Sequence, residues 1–464
     1  VRSYDFIAIG AGPAGQRAAV QAAKLGARVA VVSSTRLGGA CINSGTVPSK
    51  TLREAILDLS GFRQRSLYNL SPGAEVTMER LLARTRDVMQ TERSVIQDQL
   101  ERNGIEVLQG LAAFEDPHTL SVAGAGTAEQ IQGKFILVGV GSRPSVPSGL
   151  PVDRKRVLTS DDILSLARLP RRLLIAGAGI IGVEYASMFA VLGVQVSLCD
   201  TRTTFLDMVD VEIRALFRES VERLGVRFLL GETISRVEQA PNDGIDVTMD
   251  GGDRLTTDLV LVSAGREGAT ESLRLEKAGL AADPKGRISV NASFQTEVPH
   301  IYAAGDVIGA PQLAATSAEQ GRMAACHALG VKAETVPALY PFAIYAVPEI
   351  AWVGRTEQEL KRSGASYVTG VARYRETARG NILGDRDGMM KMLIDRQSRE
   401  LLGVWICGSQ AAELIHVGQA AMALHGKLDY FLGTVFNYPT LAECYKVAAL
   451  NGMNKLSAQR ANDL

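Results

Sequence analysis

Two short glycine-rich runs dominate the chemistry this chain could perform. The first is Gly10-Ala11-Gly12-Pro13-Ala14-Gly15 and the second is Gly177-Ala178-Gly179-Ile180-Ile181-Gly182. Glycines at this spacing let a backbone approach a pyrophosphate, whose charge is met by the N-terminal amides of the helix that follows. Two such runs imply two bound dinucleotides. In each unit the position that reads the ribose falls 23 residues after the first glycine, at Ser33 and at Asp200. Asp200 offers a carboxylate to ribose hydroxyls, whereas Ser33 offers a single hydroxyl and no bidentate acceptor. Arg202, close to Asp200, supplies a cation suited to a 2'-phosphate, so this one site has the means to read both NAD and NADP.

Each run lies where a strand turns into a helix. Phe6-Ile7-Ala8-Ile9 precedes the first, within a strand Tyr4 to Gly10, and an Ala-rich helix to Gly26 and a strand Arg28 to Val32 follow. Leu173-Leu174-Ile175-Ala176 precedes the second, with a helix through Leu192 and a strand Gln195 to Cys199 after it. This context makes the glycine pattern a nucleotide-binding unit rather than a loose turn. Met78 to Arg102 has helical periodicity and Asn103-Gly104 stops it. From Tyr340 onward, Pro348 to Gly354 and Met389 to Asp395 read as strands, with two helices after them.

The 464 residues are 46 % hydrophobic and 22 % charged, enough for about three domains. Fifty basic residues balance 50 acidic ones, which gives no global electrostatic attraction to nucleic acid or an anionic membrane. No apolar run approaches a membrane span of ~18 residues. The early strand leaves no room for a cleaved leader, and the five cysteines (Cys41, Cys199, Cys326, Cys407, Cys444) are scattered, so a reducing cytoplasm is the expected compartment. No histidine or cysteine spacing suggests a metal.

Further segments carry a family resemblance. Gly38-Gly39-Ala40-Cys41-Ile42-Asn43-Ser44-Gly45-Thr46-Val47-Pro48-Ser49-Lys50 resembles the redox-active helix of the dihydrolipoamide dehydrogenase and glutathione reductase family, with Thr46 where a second cysteine stands. Thr296 to Val307 resembles the family's second flavin fingerprint. Phe135 to Pro144 and Leu259 to Arg266 resemble its crossovers between flavin and nicotinamide domains. Phe436 to Leu456 resembles its C-terminal interface segment.

The resemblance implies an α/β fold with two Rossmann-like dinucleotide-binding domains, one for FAD and one for NAD(P), and a C-terminal α+β dimerisation domain. Its limits are expected at 1–150 with 271–337 for FAD, 151–270 for NAD(P) and 338–464 for the interface. It implies a homodimer or larger homo-oligomer. FAD contacts are expected at Gly10, Gly12, Pro13, Ala14, Gly15, Ser33, Gly39, Cys41, Thr46, Lys50, Gly141, Ser142 and Asp306. NAD(H) and NADP(H), as substrates, are expected at Gly177, Gly179, Ile181, Gly182, Glu184, Asp200, Arg202 and Gly265. Lys50 and Glu184 match the catalytic ion pair that in the family lies near flavin N5.

The dithiol relay is missing on both sides. A Thr46 hydroxyl cannot form a disulfide with Cys41, and Tyr438 stands where the family's catalytic His stands. A phenol with a pKa of about 10 is a poor base at neutral pH. The pattern is most similar to the soluble, flavin-dependent pyridine nucleotide transhydrogenases. That implies hydride passing from NADPH to flavin N5 and back out to NAD through one nicotinamide site, with Cys41 a spectator. A quinone or diaphorase-type reductase on the same frame, and an idle flavin-binding protein, remain open alternatives. Thr46 and Tyr438 oppose a dihydrolipoamide dehydrogenase.

Overall fold

A computed structural model describes residues 1–62, 76–124, 128–240, 244–333 and 339–462. The expected interface boundary at 337/338 lies outside the described residues. The first unit runs β1 (Arg2–Ile9), α1 (Pro13–Lys24), β2 (Val29–Ser33), α2 (Thr46–Leu59), α3 (Met78–Arg102), β3 (Glu106–Gln109), β4 (Leu111–Phe114), β5 (Thr119–Ala123) and β6 (Ala128–Val138). Phe6, Ile7 and Ala8 are fully buried in succession, as expected of a strand covered on both faces. The sheet order is β3-β2-β1-β6-β5-β4, with β1 parallel to both β2 and β6. Consecutive strands therefore leave β1 in opposite directions, and a crevice opens beyond its carboxyl end, where Gly10 begins the first run.

The second unit repeats the plan with β7 (Val157–Thr159), β8 (Arg172–Ala176), α4 (Ile180–Val191), β9 (Gln195–Asp200), α5 (Val211–Arg223), β10 (Arg227–Leu230) and β11 (Leu259–Val262). Its parallel sheet is ordered β10-β9-β8-β11-β7. After it, β12 (Ile301–Ala303) returns to pair with β6 of the first sheet. Helix α6 (Ala314–Ala328) then packs on α1. The chain crosses between units at Ser142–Pro144, which pairs with Arg266–Gly268.

The C-terminal unit is an antiparallel sheet of β13 (Phe342–Ile344), β14 (Ile350–Gly354), β15 (Tyr367–Arg373), β16 (Met389–Asp395) and β17 (Leu401–Cys407), ordered β13-β14-β17-β16-β15. Phe342, Trp352 and Trp405 stack across neighbouring strands, with ring centroids 5.1 and 5.2 Å apart. Helices α7 (Glu357–Arg362), α8 (Ala411–Ala423) and α9 (Glu443–Asn462) accompany it, together with a short helix Leu428–Gly433. Three helices thus follow β17 where periodicity suggested two. No described helix is long and apolar enough to cross a membrane.

The second and C-terminal units meet around a buried cation. Lys391 on β16 is 1 % exposed and pairs with Asp210 at 2.9 Å, Glu212 at 3.2 Å and Glu357 at 2.5 Å. Asp210 is fully buried and accepts from the first-turn amides of two helices, Glu212 N in α5 and Glu357 N in α7. Removing one partner of a buried pair leaves an uncompensated charge, at a cost of about 3–5 kcal/mol. Lys391→Met is therefore expected to lower the thermal midpoint in calorimetry, and an unchanged midpoint would show the cation to be dispensable. Burial raises the Glu357 carboxyl, but hydrogen bonds from Lys391, Lys361 and Tyr367 more than offset this and hold it down at about 2, against an ordinary 4.5. A folded value below the unfolded one means this stabilisation is full above pH 4.5 and is lost as pH falls toward about 2. Glu357→Gln should flatten the acid limb of stability across that window.

Candidate active site

Helices α1 and α4 begin in the same way. Their N-caps are Gly12 and Gly179, no side chain caps either one, and neither has an acidic residue in its first turn. The first-turn amides are thus left for an anion. A Cβ on Gly179 would meet no protein atom within 4 Å, and one on Gly12 would meet only Gly39 Cα at 3.9 Å. Both glycines face one cavity of about 1590 Å³, so the space they leave is room for a ligand. This is larger than the usual small-ligand pocket, as two dinucleotides require.

Almost every expected contact lines that cavity, in both units: Gly10, Gly12, Pro13, Ala14, Ser33, Gly39, Cys41, Thr46, Lys50, Gly141, Ser142 and Asp306, with Gly177, Gly179, Ile181, Glu184, Asp200, Arg202 and Gly265. Gly15 and Gly182, also expected as contacts, are not on its wall. A Cβ on either would sit 1.9 Å from the carbonyl oxygen of Gly10 or Gly177, so these glycines allow the helix to pack on its strand.

Lys50, in the first turn and a half of α2, and Glu184 on α4 meet across the two units. Lys50 Nζ donates to Glu184 Oε1 at 3.0 Å and to Oε2 at 2.8 Å. The Glu184 side chain is 5 % exposed and that of Lys50 27 %, so the cation shows one side to the cavity. A carboxylate this deeply buried is tolerated because it is paired.

The short helix Gly39–Asn43 holds Cys41. Asn43 Nδ2 donates to the carbonyls of Arg36, Leu37 and Gly39, while Arg93 Nε on α3 donates to its Oδ1. Burial pushes the Cys41 thiol up, and Thr46 pulls it back only in part. The net direction favours thiol over thiolate, the wrong form for a nucleophile. No disulfide forms, and the other four cysteines are buried.

Asp306 accepts from Ser142 Oγ at 2.6 Å. Arg266 Nε donates to that same hydroxyl at 2.8 Å, and Arg266 NH1 to Asp161 at 3.2 Å. Ser33 is buried at the end of β2 and its hydroxyl donates to Thr35 O at 2.9 Å, which leaves its lone pairs to accept. Asp200 is more heavily committed. Its Oδ1 accepts from Arg202 N and Nε, both at 2.9 Å, and its Oδ2 accepts from Ala178 N and Arg202 NH2, both at 2.8 Å. Burial works against the charge of Asp200, yet the Arg202 bonds draw its carboxyl below the ordinary value.

Sequence reasoning missed Gly110-Leu111-Ala112, Arg266, Tyr345 and His416, all on the cavity wall. A sharp Gly between two short strands was the one available signal for the first group. Arg266 directly follows the expected contact Gly265, whereas Tyr345 and His416 come from distant chain segments and carried no local signal.

Fold and site together define a flavin and nicotinamide oxidoreductase of the two-dinucleotide type. A profile of the pyridine nucleotide-disulphide oxidoreductase family matches residues 4–321, and one of that family's dimerisation domain matches residues 340–449. A soluble pyridine nucleotide transhydrogenase of Mycobacterium tuberculosis (strain ATCC 25177 / H37Ra) is 47 % identical over 463 residues, covering 99 % of each chain. One from Enterobacter sp. (strain 638) is 42 % identical over 98 % of each. Among solved structures, the HOCl-induced flavoprotein disulfide reductase RclA from Escherichia coli superposes with a TM-score of 0.88 at 27 % identity, over 96 % of this chain and 100 % of that one. LpdA from Mycobacterium tuberculosis gives 0.89 at 26 %, over 97 % and 99 %. The chain belongs to the pyridine nucleotide-disulphide oxidoreductase family and, within it, to the soluble pyridine nucleotide transhydrogenases.

Proposed function

We propose that this chain holds FAD in the first unit and exchanges hydride between NADPH and NAD through a single nicotinamide site, without a redox disulfide. The observation that carries the reading is the Lys50–Glu184 pair, set in a cavity shared by both glycine runs, with Cys41 a free thiol on its wall. The names of the full-length relatives support the activity.

The residues present fit FAD: an uncapped helix N-terminus behind Gly12, a close approach of the Gly12 and Gly39 backbones on the cavity wall, and the Asp306 carboxylate held by Ser142. When bound there, FAD supplies a two-electron hydride carrier, so no thiol is required. Lys50 places a positive charge at the centre of the site, where negative charge is to be stabilised, and Glu184 fixes its direction. Gly177, Gly179 and the amides of α4 hold the second pyrophosphate. Asp200 and Arg202 face the second ribose, and because Arg202 neutralises the carboxylate, a 2'-phosphate need not meet a bare anion. The working unit is a homodimer in the cytoplasm, assembled through 338–464. The division into 1–150 with 271–337 and 151–270 is supported by the return of β12 to the first sheet.

Stopped-flow mixing tests the reading. The yellow holoenzyme should bleach with NADPH under anaerobic conditions and regain colour with NAD at a rate that sustains turnover. Recolouring by a quinone but not by NAD would replace the proposal with a quinone reductase. Cys41→Ser should keep most of the exchange rate with flavin still bound. A loss greater than about tenfold would give Cys41 a part in the chemistry.

A further inference from the structure

The Lys50–Glu184 pair has a third partner, from the C-terminal unit of the same chain. Directly after β13, the segment Tyr345-Ala346-Val347 enters the crevice between α2 and α4. Tyr345 N donates to Glu184 Oε1 at 2.8 Å. Val347 N donates to Ser187 Oγ at 3.0 Å, and Ser187 Oγ donates to Glu184 O at 2.9 Å. On the other side, Arg53 Nε of α2 donates to Ala346 O at 3.0 Å. Ala346 is fully buried and Val347 nearly so. One short segment is therefore hydrogen-bonded both to the helix that carries Lys50 and to the helix that carries Glu184.

The Tyr345 ring completes the junction. Lys50 Nζ lies 4.9 Å from its centroid, and the ring lines the same cavity as the ammonium. A lysine ammonium has three N–H groups on a flexible stem. Glu184 takes donors on one side, and an aromatic face attracts the cation on another. The direction left open is toward the cavity.

We infer that Tyr345 is a positioning residue for hydride transfer, its ring fixing the direction of the Lys50 ammonium while its main-chain N–H fixes Glu184. The inference rests on the transfer function proposed above. It makes the C-terminal unit a structural part of the hydride site in its own chain.

The test uses FAD-loaded Tyr345→Leu and Tyr345→Phe, with Lys50→Met as reference. Substitution leaves the main-chain bond to Glu184 in place, so the pair isolates the ring. Tyr345→Leu is expected to slow bleaching by NADPH about fivefold, with flavin content and the KM for NADPH unchanged. The flavin midpoint potential, measured without nucleotide, should fall by about 20 mV, which is that fivefold change expressed for a two-electron couple. Tyr345→Phe keeps the ring and should match the wild type in rate and potential. The inference is overturned if the Leu protein matches the wild type in both readouts, or if Phe behaves as Leu does. If Lys50→Met also changes neither readout, the failure lies with the proposed role of the ion pair itself.

Discussion

Lys50→Met should slow bleaching of the flavin by NADPH by about a hundredfold or more, in the range reached when a preorganised charge is removed from a reaction centre. Two effects act in the same direction. The positive charge facing the cavity is lost, and Glu184, 5 % exposed, remains as a buried carboxylate with only the Tyr345 N–H and no cation. The second effect replaces a stabilising charge by an opposing one, so the loss should exceed that of an exposed lysine. Stopped-flow absorbance over a series of NADPH concentrations separates binding from transfer. The limiting rate should fall while the concentration at half-maximal rate moves little. A limiting rate within threefold of wild type, in a variant that retains its flavin, would remove the pair from the chemistry.

Arg202→Ala should raise the KM for NADPH by tenfold or more and that for NADH by much less. Asp200 is nearly buried and accepts four hydrogen bonds, three of them from Arg202. The main-chain bond survives the substitution and the two guanidinium bonds do not. A carboxylate no longer paired then faces the ribose, where it can accept from a 2'-hydroxyl but repels a 2'-phosphate. Tenfold in KM is about 1.4 kcal/mol, modest for a phosphate set against a nearly buried carboxylate. Steady-state KM values for both nucleotides at matched ionic strength provide the measure. Equal effects on the two would show that Arg202 serves only to hold the loop. A salt titration adds a check, since the NADPH penalty should shrink as ionic strength rises.

The glycine runs were readable because their chemistry is local. A pyrophosphate cradle needs a strand, a turn without side chains and a helix start, all within fifteen or so consecutive residues. The strand at Met389–Asp395 was legible for a similar reason, as a largely apolar run between polar boundaries. Gly15 and Gly182 were harder. Their spacing marks them as members of a binding motif, but it does not distinguish a glycine that faces a ligand from one that faces its own strand. Only the 1.9 Å approach to Gly10 O and Gly177 O assigns them to packing.

By itself the sequence determined that two dinucleotide units lie on one chain, that Cys41 has no sulfur at position 46 to pair with, and that a carboxylate, Asp200, stands 23 residues after the first glycine of the second run. Each of these follows from residue identity at short range. The tertiary structure alone decided that Arg202 covers Asp200, that Arg266 reaches Asp306 through Ser142, and that Tyr345 completes the Lys50–Glu184 pair. Those contacts join segments up to about three hundred residues apart, or depend on which of several side-chain directions a cation takes. Burial and close packing select among such directions once the units have closed on one another, and neither is expressed in the spacing of residues along a chain.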